Sequence, residues 1–214
     1  MPVIQSDTDM VSPMATLVDR DTAEVMALLR EAVAVSGLTQ SSFARAVGTS
    51  PSRLSTYMTG DTRPSAQFLV RARRRGRALG VVAARGLMSA PVTAAAMRES
   101  LRAADAEWTW RMLLQGRDHL ALLVRARDPE LLDAWEAEPG TVASAEWDAL
   151  LAAVTAHELE VAGLEAPEWT LRTPLTDPWM PEHPFLSPER VRAQTPEWLS
   201  RRNLYVPARD LTTA

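Results

Sequence analysis

Residues 38–65 read LTQSSFARAVGTSPSRLSTYMTGDTRPS, and their order of caps, small residues and glycines predicts two short helices joined by a sharp turn. Thr39 is placed to cap the first helix, with Gln40 in its first turn. Phe43, Ala44 and Val47 share one face, and Ala44 is small where a second helix must come close. Gly48 supplies the backbone freedom of the turn. Ser50 is the next cap, followed by Pro51 at the first helical position. Leu54, Tyr57 and Met58 form the inner face of the second helix. Ser52, Arg53, Ser55, Thr56 and Thr59 are left outside. An outer face of short polar side chains and one arginine can enter a DNA major groove without steric conflict.

Charge points the same way. The 214 residues carry 23 basic and 27 acidic side chains, a formal charge of −4. Residues 39–86 hold nine arginines and one acid, or +8, while the other 14 arginines and 26 acids make −12. A basic block within an acidic chain implies an anionic partner for that block, with nucleic acid first. Every basic residue is arginine and none is lysine. Lysine is missing even where no DNA is expected, so this is a compositional bias.

The segment resembles the helix–turn–helix of the Cro/C1-type (XRE-like) bacterial DNA-binding domains. Gln40, Ala44, Gly48, Leu54, Tyr57, Gly60 and Arg63-Pro64-Ser65 carry the resemblance, which covers about residues 22–80. It implies that Ser50, Pro51, Ser52, Ser55 and Thr56 lie where bases are read, with Arg53 between them against base or phosphate. It also implies that Gln40 clamps a phosphate and that Arg63 sits in a backbone-contacting loop. These base-facing positions lack the Gln, Asn or Arg of bidentate readout, so discrimination falls to Arg53, to water and methyl contacts, or to DNA shape. Arg71, Arg74 and Arg75, in the run RARRRGR, are candidates for further phosphate contacts. The competing reading is a solvated helix whose arginine stems cover the core edge.

Around this segment the expected fold is all-α. An arm over 1–20 precedes a five-helix DNA-binding domain over 21–86 and a helical C-terminal domain over 92–214. In the first domain, Asp21 with Glu24 reads as a capping box opening a helix that Gly37 ends. Helices then follow at about 39–47, 51–59 and 65–79. In the second, Trp110, Leu113, Leu114, Leu120, Ala121 and Val124 form one stripe, and Trp147, Leu150, Leu151, Val154 and Val161 another. Asp128-Pro129 and Ser144 read as helix starts, as does Thr195-Pro196-Glu197. Six prolines over 165–188 exclude a regular helix there and predict a proline-rich wrap over the helices. Trp179 and Phe185 in that wrap are the candidate partner surface.

Other chemistry has little support. There is no cysteine, which excludes disulfides, thiolate metal sites and cysteine nucleophiles. His157-Glu158 begins like a zinc-protease motif, but Val161 stands where the second histidine belongs. His157 is expected at the core edge. Asp118-His119 has no serine partner, and no phosphate-cradling glycine loop occurs. The expectation is a non-enzymatic chain with no cofactor and no metal. The N-terminus lacks the basic and apolar regions of a signal peptide, and no apolar run has membrane-spanning length, so a cytoplasmic, nucleoid-associated location is expected.

These readings lead to a sequence-specific transcriptional regulator, a repressor acting as a homodimer on double-stranded DNA, with the C-terminal domain as dimer or partner module. PWMPEHPFLSPE and TPEWLSRRNLYVP, at 178–189 and 195–207, resemble the back halves of helix–turn–helix proteins encoded beside nucleotidyltransferase-like toxins. That resemblance implies an alternative, an antitoxin whose C-terminal half masks a toxin protein. A second alternative is a ligand-sensing regulator with a small molecule among the tryptophans.

Overall fold

The computed structural model describes residues 19–212. The arm expected over 1–20 therefore lies outside the described residues, apart from Asp19 and Arg20, which open the first helix. Ten α-helices follow in order: α1 (Arg20–Ser36), α2 (Gln40–Ala46), α3 (Pro51–Thr59), α4 (Ala66–Ala84), α5 (Ala90–Arg102), α6 (Ala106–Ala126), α7 (Pro129–Glu136), α8 (Ala145–Val161), α9 (Pro188–Gln194) and α10 (Glu197–Ser200). Among the described residues the fold is all-α, with no strand and one isolated parallel bridge between Trp179 and Leu204. Four helices, not five, occupy 21–86; the fifth begins at Ala90 and packs on α6.

Local chemistry sets the helix starts. Each of the first eight helices is preceded by Ser, Thr or Asp whose side chain accepts a first-turn backbone N–H. This satisfies a donor that would otherwise be orphaned. Thr39, Ser50, Asp128 and Ser144 are caps as expected. Asp21 is not: Asp19 caps α1, accepting from Thr22 N at 2.9 Å and from the Thr22 hydroxyl at 2.7 Å. The cap falls two residues earlier because Thr22 supplies two donors to Asp19.

The helices pack by close approach at small residues. On α4, a Cβ at Gly76 would lie 2.6 Å from Ala32 O, and one at Gly80 2.5 Å from Val35 O. The two glycines, four apart on one face, let α4 lie backbone to backbone on α1. On α6, a Cβ at Gly116 would meet the Thr93 side chain of α5 at 2.5 Å. Gly116 turns the buried stripe of α6 to Thr109, Leu113, Leu120 and Leu123; Leu114, Ala121 and Val124 are only half-buried. α8 is buried on nearly every side from Trp147 to Ala156, as a helix at the centre of a bundle must be. Its last residue, Val161, expected on the inner stripe, is instead 73% exposed because the helix has left the core by then.

One apolar core runs from α1–α4 into α5–α8, and α4 packs on both α1 and α7. The segment between α4 and α5 is clamped at Met88. Its N–H donates to His119 Nδ1 at 2.8 Å, and its carbonyl accepts from Trp135 Nε1 at 3.1 Å. Trp169 Nε1 donates in turn to Trp135 O at 3.0 Å. The proline-rich wrap is seated on the helices: Trp179 exchanges backbone bonds with Asn203 and Tyr205, both 2.8 Å, and its ring meets Trp147 edge-on at 5.4 Å.

The clamp makes the fold pH-sensitive. His119 must keep Nδ1 unprotonated to accept from Met88, and burial holds its pKa below the ordinary 6.5, against a smaller opposing pull from Asp118. The unfolded chain takes up this proton at higher pH than the folded chain. The contribution of His119 is therefore complete above about pH 6.5 and declines as pH falls below it. Thermal melts between about pH 7.5 and 5.5 are expected to lose stability on acidification, with a shallower loss in His119→Gln. Equal slopes would place the titrating group elsewhere.

Candidate nucleic-acid interface

The turn between α2 and α3 is built by Gly48 at φ +75° and by Thr49 N donating to Ala44 O at 2.9 Å. Phe43, Ala44, Val47 and Leu54 are fully buried beneath it. Tyr57 closes the inner face of α3, its ring tilted against Phe68 of α4 at 5.1 Å. α1 holds the far end of α3, where Arg30 Nη2 donates to Met58 O at 2.6 Å. α3 is thus anchored at both ends and along one side, as a helix placed for recognition must be.

Its other side is open. Pro51, Ser52, Arg53, Ser55 and Thr59 are exposed and Thr56 is half-buried. Several polar groups there are already engaged. The Ser50 hydroxyl accepts from Arg53 N at 3.2 Å and lies 3.1 Å from the Ser52 hydroxyl. The Thr56 hydroxyl donates to Arg53 O at 2.9 Å, while the Thr59 hydroxyl donates to Asp61 Oδ2 at 2.6 Å. Arg53 is steered by its own helix: Nε donates to the Tyr57 hydroxyl one turn on, at 2.9 Å. That bond fixes the stem and leaves the two terminal nitrogens without a protein partner among the described residues. Gln40 is exposed in the first turn of α2, beside its cap Thr39.

Arg63 lies in the loop after α3 and is exposed, with Nη2 2.8 Å from Asp19 Oδ2. Bonds from the Thr22 N–H and hydroxyl, then Arg63, hold the Asp19 carboxyl below its ordinary pKa. Arg63 therefore ties the loop to the start of α1, and a phosphate there must share it with Asp19.

Arg71, Arg74 and Arg75 do not form one solvated face. Arg71 Nε donates to Val47 O at 3.1 Å and Arg75 Nη1 to Ala46 O at 2.7 Å. Together they cap the carbonyl end of α2, where cations are favoured. Arg75 also approaches Glu136 of α7 at 3.5 Å. Burial lowers its pKa, opposed by Glu136 and Asp133. Arg74 Nε lies 2.5 Å from Asp133 Oδ2 of α7. That oxygen makes the ion pair without an aligned hydrogen bond, and burial pushes the Asp133 carboxyl up despite the partner. Arg73, Arg74 and Arg77 are the exposed arginines of the run, with Arg73 and Arg77 one turn apart.

Sequence reasoning missed the capping role of Arg71 and Arg75 and the Arg30 anchor. Their partners are backbone carbonyls more than twenty residues away, which no local pattern marks. The expected Trp179–Phe185 surface divides: Trp179 packs inward on Trp147, while Phe185 stands 86% exposed.

Comparison with known proteins agrees with this geometry. Residues 23–85 match a family model described as a helix-turn-helix domain. No curated protein and no solved structure matches the chain. The matched stretch ends one residue beyond α4 and covers less than a third of the chain. Among the described residues no helix is long and apolar enough to cross a membrane. Residues 23–85, then, are a helix–turn–helix domain of the Cro/C1 type, which suggests a DNA-binding regulator.

Proposed function

We propose that the protein is a sequence-specific repressor that binds double-stranded DNA as a homodimer and reads the major groove with α3. The observation that carries this reading is the exposed face of α3. It presents Ser52, Arg53, Ser55 and Thr56 on a helix anchored by Arg30 and Tyr57, with Arg53 held outward by Tyr57. One such helix spans too few base pairs for specificity, so two copies one DNA turn apart form the binding unit. Gln40 and Arg63 supply backbone contacts that set register and carry no sequence information. Arg71 and Arg75 support the reading helix from within by holding the carbonyl end of α2, while Arg74 pairs with Asp133 of α7.

Selection of bound fragments from genomic DNA, followed by salt titration on the enriched sequence, tests this. With Arg63 neutralising one phosphate per protomer in the dimer, log K should fall against log salt with a slope of about −2. A fragment pool without a shared two-fold motif, or no affinity at low salt, would contradict the proposal.

A further inference from the structure

A groove of about 880 Å³ lies outside the helix–turn–helix, between the first turns of α6 and α8, the proline-rich wrap and the C-terminal segment. Its walls include Trp110, Trp147, Phe185 and Tyr205, with Val191 and Val206 among the other apolar lining residues. Trp110 meets Trp147 edge-on at 5.9 Å. The volume is that of a site for a drug-sized molecule.

Phe185 is placed there by a built turn. His183 Nδ1 accepts from both Phe185 N and Leu186 N at 3.0 Å, and His183 Nε2 lies 3.1 Å from Asp210 Oδ2. Both ring nitrogens are thus used to fix the backbone that carries Phe185, while the phenyl ring itself stays exposed. A large apolar side chain held out of the core on an ordered turn marks a contact surface.

The groove's charge is complementary to a cation. Glu107, Glu182 and Asp210 line it against Arg209 alone, and Arg209 lies 3.6 Å from Asp210. Glu107 meets Arg111 in a pair more than half exposed on both sides. Glu182 has no partner among the described residues. Aromatic faces here already take cations: Arg192 stands over Tyr205 at 4.6 Å from the ring centre. Aromatic rings and carboxylates in one cleft favour a delocalised positive charge.

We propose that this groove binds a lipophilic organic cation, with its aromatic body against Trp110 and Trp147 under Phe185 and its charge toward Glu107 and Glu182. The test uses the full-length protein without DNA and two ions of one shape and opposite charge, tetraphenylphosphonium and tetraphenylborate. Equilibrium dialysis with tryptophan fluorescence should show saturable binding of the phosphonium, at least about tenfold tighter than the borate. Phe185→Ala should weaken phosphonium binding about five- to tenfold. Glu107→Gln with Glu182→Gln should collapse the preference between the ions. All three positions are exposed, so the variants are expected to melt like the parent. Borate bound as tightly as phosphonium, no saturable phosphonium binding, or phosphonium affinity unchanged in Phe185→Ala would overturn the proposal. None of these outcomes depends on the DNA reading.

Discussion

Trp135→Ala is expected to destabilise the protein by about 3–5 kcal/mol. The Trp135 ring is 1% exposed, and it is the largest side chain fully enclosed by the core. Truncation leaves a cavity between α7 and the helices around it, which the close-packed core cannot fill completely. It also removes the indole N–H from Met88 O, leaving a buried carbonyl short of a partner. Because Met88 joins α4 to α5, the loss acts where the DNA-binding helices meet the rest of the bundle. For a chain of this size, about 2–4 °C in Tm per kcal/mol gives a drop of roughly 6–20 °C. Trp135→Phe keeps most of the volume and should lose clearly less. Circular dichroism melts check both; a Trp135→Ala midpoint within about 2 °C of the parent would mean that the site collapses without cost.

The second large effect is expected at Gly76. The obstacle to a side chain there is the Ala32 backbone, 2.6 Å from a Cβ, and backbone in mid-helix cannot turn aside as a side-chain tip can. Gly76→Val must therefore push α1 off α4. Overpacking of this kind costs about 1–3 kcal/mol and occasionally more, above the roughly 0.3 kcal/mol of helix propensity that valine gains over glycine. The displacement also carries Arg30 away from Met58 O, so DNA affinity should fall together with stability. Gly86→Ala is the control. Gly86 has φ +69° but nothing within 4 Å of a Cβ, so only backbone strain of about 1–2 kcal/mol is expected, with DNA affinity retained. Equal losses of DNA affinity from the two substitutions would show that α1–α4 contact is not the cause.

The parts of this architecture that depend on local chemistry were legible in the sequence. Thr39, Ser50, Asp128 and Ser144 cap helices because a Ser, Thr or Asp oxygen finds its backbone N–H within one turn, whatever the tertiary fold. The α2–α3 turn was legible for the same reason, through Gly48, Pro51 and the small Ala44. Long-range partners were hidden. Arg71, Arg74 and Arg75 read as one basic run, yet four different neighbours claim them: Val47, Asp133, and Ala46 together with Glu136. Net charge located the basic block but did not separate buried caps from solvent-facing arginines such as Arg53, Arg73 and Arg77. Gly76 and Gly80 carried a readable signal in their four-residue spacing, which becomes meaningful once α1 is known to lie across it. Val161 was misplaced because a stripe drawn from one end of α8 does not reveal where the helix leaves the core.

The most direct test of the α3 reading is the affinity of the Arg53→Ala protein for the selected operator and for unrelated DNA at the same salt. Arg53 presents its free terminal nitrogens from the exposed face while Tyr57 fixes its stem. Losing a base contact costs about 1–3 kcal/mol on the cognate sequence, roughly five- to 150-fold. Affinity for unrelated DNA should change much less, so the ratio between the two should shrink. Equal losses on both sequences would reduce Arg53 to a phosphate contact, and no loss on either would contradict the placement of α3 in the groove.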